Sequence, residues 1–251
     1  MKKKKTVACF LLMAACVLGT AEQYRSAGFS ADIGSNGIIR NLQYAGQPLA
    51  KSIGLVGTYR IPKEMKKHDA RLFQAWDFSD KAQFQRDGDT LTITVDSMLG
   101  NKEINDAANY KIHYVLKPNE LACSCEVTQK VDLLSDFHLF NTDISMPPSL
   151  FGRGVKVLTG NDQQEFQVLP ETFNPKFRLG GKQISLSTEK GILTFTGDKD
   201  VRFNYTDSRQ WGGTDFMIIV NPFAKWTPKP VLHPAGTVWK WSFTLAFTPE
   251  R

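Results

Sequence analysis

The sequence predicts an all-β protein folded as one large antiparallel β-sandwich. Three observations carry that reading. Apolar and polar residues alternate with a period of two along most of the chain. Short polar turns interrupt the alternation again and again. No segment sustains a helical period beyond about ten residues. Composition agrees. The 251 residues are 41% hydrophobic and 22% charged, which suits a globular protein and excludes a disordered chain, a collagen or a coiled coil. A single all-β domain of this length is ordinary.

The first element is a targeting segment. Lys2, Lys3, Lys4 and Lys5 precede an apolar run from Val7 to Ala15, and small residues follow. That order is the pattern of a secretory signal peptide. The run is shorter than the ~20 apolar residues that a membrane-spanning helix needs. Met13-Ala14-Ala15-Cys16 resembles the lipobox of bacterial lipoproteins, with Met13 in place of the usual leucine. The resemblance implies lipidation of Cys16. The other route is ordinary cleavage after Gly19-Thr20-Ala21. The division expected is 1–21 as signal peptide and 22–251 as one domain, exported to the cell envelope, the periplasm or the outside. The four leading lysines also explain most of the net charge of +6. Without them the domain is near neutral, which does not point to a nucleic-acid partner. Membrane contact is expected only through the lipid anchor.

Strands follow in order. Candidates lie at 37–44, 110–116, 136–144, 155–158, 183–188, 191–196 and 215–220. Leu91, Ile93 and Val95 alternate with threonines, and Val201, Phe203 and Tyr205 alternate with Arg202, Asn204 and Thr206. The final strand is the clearest: Trp239, Trp241, Phe243, Leu245 and Phe247 share one face. Turn signals separate these runs, among them Ser35-Asn36-Gly37, Asp87-Gly88-Asp89 and Lys117-Pro118-Asn119. The stretch from Lys63 to Phe73 is the one place where a short turn of helix is expected.

Beyond the signal region only Cys123 and Cys125 remain. Positions i and i+2 of a strand face the same way, with Cα atoms ~6.5–7 Å apart, at or beyond the usual disulfide limit. They are expected to be small core residues. The four histidines are scattered without metal-ligand spacing. No phosphate loop, nucleophile elbow, zinc motif or nucleotide fingerprint occurs. No cofactor is expected.

Three stretches resemble galactose-mutarotase-like (aldose epimerase-like) proteins. Ala31 to Leu49, with Ser35-Asn36-Gly37, looks like that family's first hairpin. Asn119-Glu120-Leu121 leads into the cysteine strand, and Phe137-His138-Leu139-Phe140-Asn141 follows. Val231 to Trp241 is similar to the closing segment, where a turn feeds a long last strand. The order matches the family over most of 31–247, and the resemblance implies a supersandwich. Mutarotases pair a histidine acid with a glutamate base across a sugar ring. His138-Leu139-Phe140-Asn141 is similar to the family's Asn-His-x-x-Phe-Asn motif, but is one residue shorter and lacks the preceding Asn. The glutamate position, at the end of a late strand, reads Asn221. An amide cannot serve as a general base near neutral pH.

The residues that suit sugar recognition are few. Trp211 stands in a polar loop with Asp207, Arg209, Gly212 and Gly213. Indole stacks on the apolar face of a sugar ring, and arginine donates to hydroxyls. Trp226 lies in a proline-rich loop. Asn221 offers an amide, and His138 is the candidate catalytic group. Packing against the sheets competes with each of these roles. Asp77, Asp80, Asp207 and Asp215 are possible carboxylates, but a pair facing across a glycosidic bond is not visible in sequence. Two function classes follow. One is an exported carbohydrate-binding or accessory protein of polysaccharide processing, without catalysis. The other is an epimerase-like isomerase or a polysaccharide lyase, with Arg178, Arg202 or Arg209 as the cation that neutralises a uronate.

Overall fold

The computed structural model describes residues 17–18, 21–60, 70–74, 82–135, 139–159, 163–222 and 230–250. Within them the chain forms two antiparallel sheets, with strands numbered here in chain order. Across the first sheet lie β1 (Val17–Leu18), β7 (Gln83–Asp87), β8 (Thr90–Leu99), β9 (Ala108–Lys117), β10 (Glu120–Gln129), β21 (Val238–Pro249), β17 (Gly191–Gly197), β16 (Gln183–Ser187), β13 (Gly154–Thr159) and β14 (Gln163–Val168). Across the second lie β15 (Gly180–Gly181), β18 (Arg202–Asp207), β19 (Phe216–Asn221), β12 (Phe140–Met146), β5 (Gln47–Arg60), β4 (Ile39–Tyr44), β3 (Phe29–Ile33) and β2 (Glu22–Arg25). The short strands β6 (Ala70–Gln74) and β11 (Leu133–Ser135) pair with β5, and β20 (Val231–His233) pairs with β11.

The period-two pattern explains this arrangement. Most long strands bury apolar residues on one face, so two sheets bury those faces against each other; β5 is the exception, with Val56 buried on the face opposite Ile53 and Leu55. From the first sheet come Ile93, Tyr114, Leu121 and the stripe Trp241, Phe243, Leu245 and Phe247. From the second come Ile53, Phe140, Ile144, Phe203, Phe216 and Ile218. β21 sits centrally, paired with β10 on one side and β17 on the other. The Trp241 indole spans the core and donates to Thr142 Oγ1 of the second sheet at 3.1 Å. Cys123 and Cys125 are buried free thiols on the inner face of β10. Burial pushes both thiols up, which keeps them protonated.

One expectation is corrected over its last four residues. Ala70 to Phe73, read as part of a helical turn, belongs to β6 and pairs with Tyr59 and its neighbours on β5. The rest of that stretch lies outside the described residues. Arg71-Leu72-Phe73-Gln74 shows no apolar period that would tell helix from strand, and pairing to β5 decides it. Helix among the described residues is limited to two 3₁₀ turns, Pro148–Leu150 and Ser208–Trp211. None is long and apolar enough to cross a membrane.

Candidate functional site

The second sheet has an outward face that mixes polar and apolar side chains and is partly enclosed. On β12, Phe140, Thr142, Ile144 and Met146 point into the core, so Asn141, Asp143 and Ser145 point out. On β19 the same parity turns Met217, Ile219 and Asn221 outward, and on β18 Arg202, Asn204 and Thr206. Registered pairs fix their neighbours: Arg202 beside Asn221, Asn204 beside Ile219, Thr206 beside Met217, and Ile219 beside Asp143. On its other side Asp143 faces Gly54 of β5, which brings no side chain.

Asp143 is the distinctive group on this face. It is half-buried in the middle of the sheet, between Gly54 of β5 and Ile219 of β19. Asn141 Nδ2 donates to its Oδ1. Burial pushes the carboxyl up to about 7, and the hydrogen bond from Asn141 only partly opposes this. Asn141 is 5% exposed and Asn221 is fully buried. The two amides stand one pair beyond the register Thr142–Val220, at the end of β12 and β19. Asp143 was missed in the sequence. β12 alternates like any half-buried strand, and Asp143 falls in its polar phase with Asn141 and Ser145, so no local signal marks it.

A second constellation lies at the other end of β18 and β19. Asp207 caps the 3₁₀ turn Ser208–Trp211 by accepting from the Arg209 backbone N–H at 3.0 Å. The Arg209 guanidinium grips the same carboxylate with Nε and Nη2, at 2.9 and 2.7 Å. It also donates to the carbonyls of Pro170 and Glu171 and lies 3.8 Å over the Phe151 ring. Burial alone would raise the Asp207 carboxyl, but hydrogen bonds from Arg209 and Tyr205 outweigh it and hold it below the usual range. Arg209 therefore ties the turn to the sheet. Trp211, on the same turn, is 69% exposed. Asp215 beside it is also paired, with Lys51 Nζ at 3.0 Å and the Ser145 hydroxyl at 2.9 Å.

The sequence candidates thus divide. Arg209 and Trp211 stand near Phe216, the start of β19, and Asn221 stands at its end, a span of ~17 Å along the strand. His138, Trp226, Asp77, Asp80 and Cys16 lie outside the described residues. Of the other histidines, His113 faces outward on the first sheet, with Nδ1 3.3 Å from Thr94 Oγ1. His233 packs edge-on against Trp239 beside the final turn. Among the described residues no group of His, Cys, Asp and Glu could hold a metal ion.

These sheets and their connections define a galactose mutarotase-like β-sandwich. The chain is similar in structure to a galactose mutarotase-like protein from Lactobacillus casei, with TM-score 0.53 and 10% identity, covering 91% of this chain and 100% of that one. An aldose epimerase homologue from C. elegans superposes with TM-score 0.53 at 9% identity, covering 94% of this chain and 100% of that one. An α-mannosidase from Enterococcus faecalis contains a similar region, with TM-score 0.57 and 8% identity over 91% of this chain and 29% of that one. No family model matches the chain, and no curated protein sequence does. At such identities the likeness is one of fold, and the chemistry must be argued from the residues.

Proposed function

We propose that the protein is an exported carbohydrate-binding or accessory protein of polysaccharide processing that holds a sugar on the outward face of its second sheet. One observation carries this reading: that face presents half-buried donors and acceptors in two rows, Asp143 and Ser145 on β12 and Arg202, Asn204 and Thr206 on β18, with Met217 and Ile219 of β19 between them as an apolar floor. Sugar hydroxyls both donate and accept, so a surface mixing carboxylate, amide, hydroxyl and guanidinium can satisfy several at once. Trp211 supplies an exposed ring for stacking, and Arg209 holds the turn that carries it. Trp226 and His138 complete the proposed contact set. The similar structures, those of a mutarotase-like protein, an epimerase homologue and a mannosidase, support a sugar ligand. Asn221 supports binding without turnover, since the sequence resemblance aligns this amide with the position of the mutarotase base. Screening the purified chain on a glycan array tests the proposal. Trp211→Ala should weaken a positive glycan by ~1–3 kcal/mol, a scale taken from aromatic–base stacking. Failure of every glycan to bind would refute it.

A second reading, a carbohydrate-active enzyme of the isomerase or lyase type, is favoured by one observation. Asp143 carries a carboxyl near 7 on this face, which is where a proton-transferring group works best at neutral pH. Turnover of a bound sugar that disappears in Asp143→Asn, with binding retained, would select this reading. Rapid anomer interconversion of galactose or glucose, abolished in His138→Ala, would do the same.

A further inference from the structure

A cleft of about 240 Å³ opens between residues 173–178 and the β18 strand with its following 3₁₀ turn. The segment is held there by Tyr205 N–H, which donates to Leu179 O at 2.8 Å, and by the edge-on contact of Phe177 with Tyr205 at 5.1 Å. Phe173 forms one wall and is 44% exposed. Thr206 and Gln210 line the cleft with side chains that have no protein hydrogen-bond partner among the described residues. The two arginines nearby are unequal. Arg209 is committed to Asp207, Pro170 and Glu171, and its charge and that of Asp207 cancel. Arg178 lines the cleft and donates only from Nη1, to the carbonyl of Phe177 at 2.8 Å. The rest of its fork is open to a ligand, and no carboxylate of the described residues neutralises it.

We propose that this cleft is a second saccharide site, one that selects a sugar bearing a carboxylate. The Arg178 guanidinium pairs with the carboxylate, as its planar fork suits two parallel hydrogen bonds. The ring stacks on Phe173, and its hydroxyls meet Thr206 and Gln210. The inference rests on the carbohydrate reading above and extends it past the Asp207 end of β18, where Thr206 borders both the first face and this cleft. A ligand that uses both places is a chain containing uronic acid residues.

The test is calorimetric titration of the full exported chain with a galacturonic acid trisaccharide and with the neutral galactose trisaccharide. The acidic ligand should bind at least about tenfold more tightly, the scale of one charge-assisted hydrogen-bonded pair. Arg178→Ala should remove that preference while leaving the neutral ligand unchanged, and Arg178→Lys should restore part of it. Arg178 is exposed, so an unchanged thermal midpoint will show that the variants fold. Equal affinity for the two trisaccharides, or a preference that survives Arg178→Ala, overturns this site and leaves the carbohydrate reading standing. Failure of both trisaccharides and of every arrayed glycan overturns both.

Discussion

Replacing Asp143 by asparagine should stabilise the protein, and by an amount that depends on pH. The carboxyl ordinarily titrates near 3.8 and is pushed up to about 7 in the fold, chiefly by burial. Between those two values the folded chain keeps a proton that the unfolded chain has released. Stability therefore falls as pH rises through that window and is lowest above it. Each tenfold change in proton affinity is worth ~1.4 kcal/mol, so the whole window amounts to ~4 kcal/mol. Asp143 keeps some access to solvent, and screening reduces the expected cost to ~2–4 kcal/mol. Asparagine has nearly the same shape, stays neutral, and still accepts from Asn141. Asp143→Asn should thus gain ~2–4 kcal/mol near pH 8 and almost nothing near pH 4. Urea unfolding followed by tryptophan fluorescence at both pH values measures this. An equal effect at the two pH values would falsify the reasoning, because it would mean that the carboxyl titrates like one on the surface.

Trp241→Ala should cost ~3–5 kcal/mol in denaturant unfolding, because a fully packed indole and its hydrogen bond to Thr142 are lost together; an unchanged midpoint would place that face in solvent. Arg209→Ala should cost ~3 kcal/mol near neutral pH by leaving the Asp207 carboxylate buried beside Tyr205 without its cation. That cost should shrink in acid, since the Asp207 carboxyl, held low in the fold, gives up its stabilisation as pH falls through its folded value; a loss independent of pH would argue for packing on Phe151 alone. If Cys16 is lipidated, Cys16→Ser should move the protein from the membrane fraction to the soluble one, and unchanged fractionation would reject the anchor.

Much of this architecture is written locally. Strand character at β8, β18 and β21 follows from alternation that a reader can follow residue by residue, because a pleated strand repeats every two residues whatever it pairs with. The inward face of Trp239 to Phe247 and the burial of Cys123 and Cys125 follow from the same rule. Where a run is short the rule is silent. Ala70 to Gln74 could be either helix or strand until β5 offers it an edge, and pairing with a distant strand is a tertiary event. The site depends on such events almost entirely. Nothing in the chain order shows that Asn141 and Asn221 end neighbouring strands, eighty residues apart in number. Nor does it show that Arg209 is consumed by Asp207 and two carbonyls while Arg178 remains open. Asp143 looks like any strand aspartate in sequence. Its raised carboxyl comes from burial within the folded sheet, whose enclosure no local window contains. Periodicity is a property of neighbours along the chain and can be read from it. Desolvation and charge pairing are properties of neighbours in space, and the packing of the two sheets decides those.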